Sequence, residues 1–184
     1  VKTEETLGNY SLSREEENQR LAFSFFNRSL ALDFQNQVLM ERTAEGEQPL
    51  ENPLLLLTAL TYFSRVDRLY PLGKNLITTE DMVQSVYFSG QNALTKEPVI
   101  RRFLNDLKHV KAAGQALGGE SLDMADAAIV VYPFSQVPVY YLFWKHQTGD
   151  ERLSILFDRS IEALLPPPVI WGLVRLVNAC LLCA

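Results

Sequence analysis

Apolar and polar positions alternate most cleanly in the last third of the chain. Residues 127–132, 137–144 and 153–157 are β-rich apolar runs parted by short polar breaks, the pattern of consecutive strands joined by hairpins. Pro133 and Pro138 punctuate the first two runs. They break the runs, as at a sheet edge feeding a hairpin. In the second run, Tyr140, Leu142 and Trp144 share one face, and Tyr141 and Phe143 the other.

Upstream the pattern reads mainly as helices. Leu21 and Phe25, with Ala22 and Phe26, form an apolar stripe. Ser11 or Ser13 can cap that helix, and Glu16, three residues past Ser13, completes a capping box. Glu15, Glu16 and Glu17 suit the positive end of its dipole. Leu30, Leu32, Phe34, Val38 and Met40 alternate as one long strand or a hairpin, and the polar stretch 43–52 reads as a loop. Asn52 and Pro53 then make a cap and first-turn pair. They open a helix to about Val66, apolar nearly all round and so expected to be central and buried.

After a loop over 65–74, Leu76 and Ile77 suggest a short strand, and Thr78 with Asp81 a second capping box, for a helix over 80–88. Pro98 starts the longest helix, to about Leu117, with Ile100, Phe103, Leu104, Leu107 and Val110 as its buried stripe and Gly118-Gly119 as its stop. Three prolines, 166–168, launch a last apolar helix over 169–182. This order predicts an α+β fold: an antiparallel sheet covered by helices, with an N-terminal helix and a C-terminal apolar helix. Residues 1–29 read as an acidic extension with its helix, and 30–184 as a single α+β domain.

Charge sharpens this division. Of the 184 residues, the first 51 hold five Lys/Arg against ten Asp/Glu, so the whole net charge of −5 sits there and the body is neutral. A neutral body excludes general nucleic-acid binding, which needs a concentrated basic surface. The first twenty residues are acidic and polar, unlike a secretory signal. The tract 169–184 is shorter than the ~20 residues of a membrane span and is broken by Arg175 and Asn178. A cytoplasmic setting is expected. Cys180 and Cys183 lie three apart on the last helix, which suits two reduced, packed thiols rather than a disulfide framework or a four-cysteine metal site. No metal site is expected.

Catalytic patterns are scarce. The two histidines, His109 and His146, belong to no H-E-x-x-H motif, and no G-x-S-x-G is present. Asp126 and Asp158 bound the three-strand segment, where a sheet end could join them to share a proton or a hard cation; strand-end aspartates more often cap turns. The aromatic run 140–144 could line a pocket for a flat apolar ligand, or simply fill a core. The ligand-binding candidates are therefore Asp126, Tyr140, Trp144, His146 and Asp158. Lys96, Arg101, Arg102, Lys108 and Lys111 make the long helix basic, a solvated face or a receiver for an acidic partner. Gly114, Gly118 and Gly119 follow a helix instead of preceding one, so they form no phosphate loop.

Asp126-Ala127-Ala128, Gln136-Val137-Pro138, Trp144, Gly149-Asp150-Glu151, Leu156-Phe157-Asp158 and Leu165-Pro166, with the apolar helix 54–63 and Leu117-Gly118-Gly119-Glu120, together resemble a prokaryotic family of unknown function. That family is common in anaerobic bacteria and archaea, and some members are joined to an iron–sulfur cluster domain. Ala125, in place of a glycine, and the insertion 145–148 depart from its pattern. The resemblance implies an anaerobic setting with any iron–sulfur centre on a partner, and the favoured reading is a non-catalytic binding or accessory domain of anaerobic metabolism, contacting a protein partner or a redox cofactor-bearing subunit. Arg101, Arg102, Lys108, Leu173 and Val177 are the expected contact residues, the apolar last helix serving association with a partner or a second copy. The alternative is a small-molecule-binding protein or enzyme using Asp126, Asp158 and the aromatic strand.

Overall fold

A computed structural model describes residues 4–7, 10–15, 20–66, 70–146, 148 and 152–184. Six strands follow one another as an antiparallel meander in chain order: β1 (Glu4–Leu7), β2 (Tyr10–Glu15), β3 (Arg20–Phe25), β4 (Arg28–Asp33), β5 (Val38–Thr43) and β6 (Gly46–Pro49). β3 and β4 pair Leu21 with Leu32 and Phe23 with Leu30. Their two-residue turn puts Phe26 at φ 53°, a left-handed conformation that costs a non-glycine residue about 1–2 kcal/mol. Burial of the Phe26 ring edge-on to Phe25, 4.8 Å away, offsets that cost.

A second antiparallel sheet has the order β7-β11-β10-β9-β8, from β7 (Leu76–Ile77), β8 (Glu120–Leu122), β9 (Ala127–Phe134), β10 (Val137–Phe143) and β11 (Leu153–Asp158). Pro133 lies past the part of β9 that β8 pairs, and Pro138 sits at a register shift between Val137 and Val139. Both prolines thus occupy places where no ladder hydrogen is needed. Helices α1 (Pro53–Arg65), α2 (Glu97–Phe103), α3 (Leu107–Ala116), α4 (Ile161–Leu164) and α5 (Pro167–Cys183) complete the molecule. The expected α+β class holds, with two sheets where one was foreseen.

One core joins both sheets and the helices. Phe23, Phe25, Tyr62, Phe63 and Phe134 bring β3, α1 and β9 together, with Tyr62 stacked on Phe134 at 4.6 Å. Asn52 caps α1 by accepting from the Leu55 N–H at 3.0 Å, as its pairing with Pro53 predicts. α1 is less enclosed than expected: Leu57 is 53% exposed.

Several elements differ from expectation for identifiable reasons. Among the described residues the predicted N-terminal helix is replaced by strands, at residues 10–15 and 20–25. Leu21 and Phe25 are four apart, a spacing that serves a strand face as well as a helix stripe, and pairing with β4 settles it. Ser11, Ser13 and Glu15 lie in β2, while Glu16 and Glu17 fall outside the described residues. The boundary expected between residues 29 and 30 falls within β4. Part of the predicted loop 43–52 is β6. The long helix is interrupted before Leu107, where Asp106 caps α3 by accepting from the Lys108 N–H at 3.1 Å. Thr78 and Asp81 do form the capping box, yet the chain beyond makes short 3-10 turns at Thr79–Asp81, Ser85–Phe88 and Gly90–Asn92. Only Met82 of that segment is buried, and an α-helix with no buried face gains little.

Candidate binding groove

The edge of β11 is the starting point. The Trp144 N–H donates to the Arg152 carbonyl at 2.9 Å, on the β10 side, and the Arg159 N–H donates to the Asn75 carbonyl at 2.9 Å, on the β7 side. Backbone groups alternate direction along a strand, so Ser154 and Leu156 face β10, whereas Leu153, Ile155 and Phe157 face outward. β7 receives Phe157 and Asp158 only, opposite Ile77 and Leu76. After Ile77 the Thr78 capping box turns the chain away: Thr78 N–H and Oγ1 both donate to Asp81 Oδ2, at 2.9 and 2.8 Å. Leu153 and Ile155 are left without a neighbouring strand among the described residues.

Between this edge and the departing segment 78–96 lies an open groove of about 920 Å³, near the top of the ~300–1,000 Å³ usual for ligand pockets. Leu153, Ser154, Ile155 and Trp144 form one wall. The other carries Thr78, Thr79, Ser85, Ser89, Val86, Phe88 and Leu94, with Glu80 and Lys96 bringing one charge of each sign. Phe88 and Leu94 also pack on the main core, which makes the inner side of the groove apolar. Val83 and Val86, 87% and 85% exposed, are the most exposed large apolar side chains among the described residues, and Val86 lines the second wall. Glu162 fixes that wall by accepting from the Val83 N–H at 2.7 Å. Asn178 does so by donating to the Thr95 carbonyl at 2.8 Å. The Ser89 hydroxyl donates to the Val86 carbonyl at 2.8 Å. Among the described residues the lining has no histidine or cysteine, and its chemistry is hydrogen bonding and apolar contact.

Of the five expected ligand-binding residues, Trp144 alone lines the groove. The idea that Asp126 and Asp158 meet at one sheet end is corrected by the register. Ala127 lies opposite Phe143 and Phe157 opposite Val139, so the two carboxylates stand at opposite ends of β10, about 20 Å apart at ~3.4 Å per residue. Asp126 accepts from the Lys145 N–H at 2.7 Å, closing the turn after β10. Asp158 is buried and uses both oxygens, accepting from Gly73 N–H at 2.8 Å and Ser160 N–H at 3.0 Å. Tyr140 belongs to a small cluster on the outer sheet face with Ala128, Val130 and Leu142. Burial, then the neighbouring Tyr132, Asp158 and Glu120, push its hydroxyl above the usual tyrosine range. His146 is exposed in the turn after Trp144.

The expected partner residues also separate. Arg101 lies 3.6 Å from Glu97 and Arg102 stacks over the Phe103 ring at 5.2 Å, both on α2, whereas Lys108 begins α3, so no single basic helix face exists. Leu173 and Val177 are corrected outright as contact residues: both are 0% exposed within the core, because α5 lies against α1 and α2 and spends its apolar face there. The sequence reading passed over Val83, Val86, Leu153 and Ile155. Their signal was a capping box followed by valines with no matching apolar stripe, and an alternating strand longer than the Leu76-Ile77 pair that could cover it.

No helix among the described residues is long and apolar enough to cross a membrane, and none of them forms a group of three or more His, Cys, Asp or Glu placed to hold a metal. No curated protein and no solved structure matches the chain significantly. A family model does, over residues 3–179, and it is of the kind that the pattern from Asp126 onward indicated: the chain belongs to the family described as Domain of unknown function (DUF3786).

Proposed function

We propose that this chain is a binding domain that holds a protein partner in the groove beside β11 and does no chemistry of its own. The observation that carries the reading is the placing of Val86, 85% exposed, on the wall of a groove of about 920 Å³. Covering a valine is worth about 1.5 kcal/mol or more, so a partner seated there gains from Val86. The lining supports recognition better than turnover, since Glu80 and Lys96 are the only ionisable groups among its described residues. The resemblance to proteins of anaerobes extends the proposal: the chain serves as a cytoplasmic accessory subunit, and any iron–sulfur cluster belongs to the partner.

The test places a photo-crosslinking residue at position 86 and, as control, at exposed position 57 on α1 of the full chain in its native host. A defined adduct from position 86 alone is expected. The purified partner should then lose about tenfold in affinity for Val86→Asp. Identical adducts from both positions, or unchanged affinity, would overturn the reading.

A further inference from the structure

β11 is bonded to β10 along its length, but β7 covers only Phe157 and Asp158. Leu153 and Ile155 therefore turn their N–H and C=O groups toward the groove, where no described backbone group bonds them. Donors and acceptors repeating every second residue along a straight edge match one kind of ligand above others, an extended backbone with the same repeat. We infer that a segment of the protein partner adds to the five-stranded sheet at this edge, end to end with β7 and hydrogen-bonded to Leu153 and Ile155. The inference rests on the protein-binding reading above and specifies what enters the groove and how.

Side-chain direction sets the sequence this strand prefers. Leu153 and Ile155 point to the inner face, with Phe88 and Leu94 on the same core. Partner residues opposite them point the same way, onto that apolar floor, and the residue between them points outward past Ser154. The favoured segment is apolar-x-apolar. Glu80 and Lys96 cancel, so the groove asks for no net charge.

The probe is a library of random heptapeptides displayed on phage and selected on the full chain; the best sequence is then synthesised with blocked ends. Expected are apolar residues at alternate positions and loss of binding to Val86→Asp. N-methylation of an amide that faces β11 should weaken binding about tenfold, while methylation of the intervening amides changes it by less than about threefold. Amide exchange at Leu153 and Ile155 should slow on binding. A peptide displaced by Val86→Asp yet equally sensitive to methylation at both sets overturns the strand geometry, while position-86 adducts would still uphold the protein-binding reading. Failure to select any groove peptide overturns the strand proposal as well, and loss of those adducts too removes its foundation. A concentration-dependent dimer that protects the same two amides without peptide would overturn it in favour of a second copy.

Discussion

Tyr141→Phe removes one hydroxyl from a buried polar contact, and its cost follows from the geometry. Tyr141 is 0% exposed and donates to Asn178 Oδ1 at 2.7 Å, while Asn178 Nδ2 donates to the Thr95 carbonyl at 2.8 Å. The phenylalanine ring fills the same space, so the change isolates one hydrogen bond and leaves a buried acceptor unpaired, at about 1–3 kcal/mol. For a chain of this size that lowers Tm by about 2–4 °C per kcal/mol. Asn178→Leu orphans both the Tyr141 hydroxyl and the Thr95 carbonyl, and should cost more. The double variant should cost less than the two singles added, by about 1 kcal/mol, because the first bond cannot be lost twice. Urea unfolding followed by far-UV circular dichroism, with the slope unchanged across the set, measures all three. A Tyr141→Phe protein within about 0.5 kcal/mol of the parent, or a strictly additive cycle, would refute the bond's role.

Three further outcomes follow from the same structure. Burial holds the hydroxyls of Tyr62 and Tyr141 above the usual tyrosine range; their neutral-form stability is complete below the unfolded value near ~10 and falls as pH rises past it, so above pH ~10 the parent should lose about 1.4 kcal/mol per pH unit more than Tyr141→Phe. In acid the sign reverses: the Asn36 N–H, the Asn36 amide and Arg20 hold the Asp33 carboxyl below the usual range, its contribution fades as pH falls below ~4, and Asp33→Asn should flatten the acid limb of stability measured by urea titration. Gly119→Ala would drive a methyl into the Val130 carbonyl, a backbone atom, whereas Gly172→Ala meets only the flexible end of Leu54; thermal unfolding should show about 3 kcal/mol lost for the first and clearly less for the second.

What could be read from the sequence was local chemistry. The Asn52–Pro53 start of α1, the Thr78–Asp81 box, the strands at β9 to β11 and the prolines opening α5 each depend on residues a few positions apart, and each is where it was expected. What could not be read were choices made by distant partners. Leu21 and Phe25 fit two periodicities until β4 pairs with them. Asp126 and Asp158 both bound strands, but only the register shows them at opposite ends of β10. The apolar excess of α5 resembled an exposed docking face because the chain elements that bury Leu173 and Val177 lie far earlier in the chain, in α1 and α2. The groove was illegible for the same reason, since it exists only where β7 stops short of β11.

The two sheets also treat their edges differently, and the contrast bears on function. β6, at the edge of the six-stranded sheet, carries Glu47 and Pro49 and is exposed along its length. Charge and proline are the usual means of keeping an outer strand from pairing with another chain. Glu47 is further tied down by Arg42 at 2.7 Å and Arg20 at 3.1 Å, which holds the charge at that edge. Leu153, Ser154 and Ile155 offer neither charge nor proline, although an apolar edge of this kind invites aggregation. Instead the edge sits in a groove opposite the 78–96 wall, which Glu162 and Asn178 pin in place. A groove blocks the flat approach of another sheet and leaves room for a narrow segment. An edge closed by charge refuses every strand, whereas an edge closed by shape refuses most and accepts one, which is the property a strand-receiving groove requires.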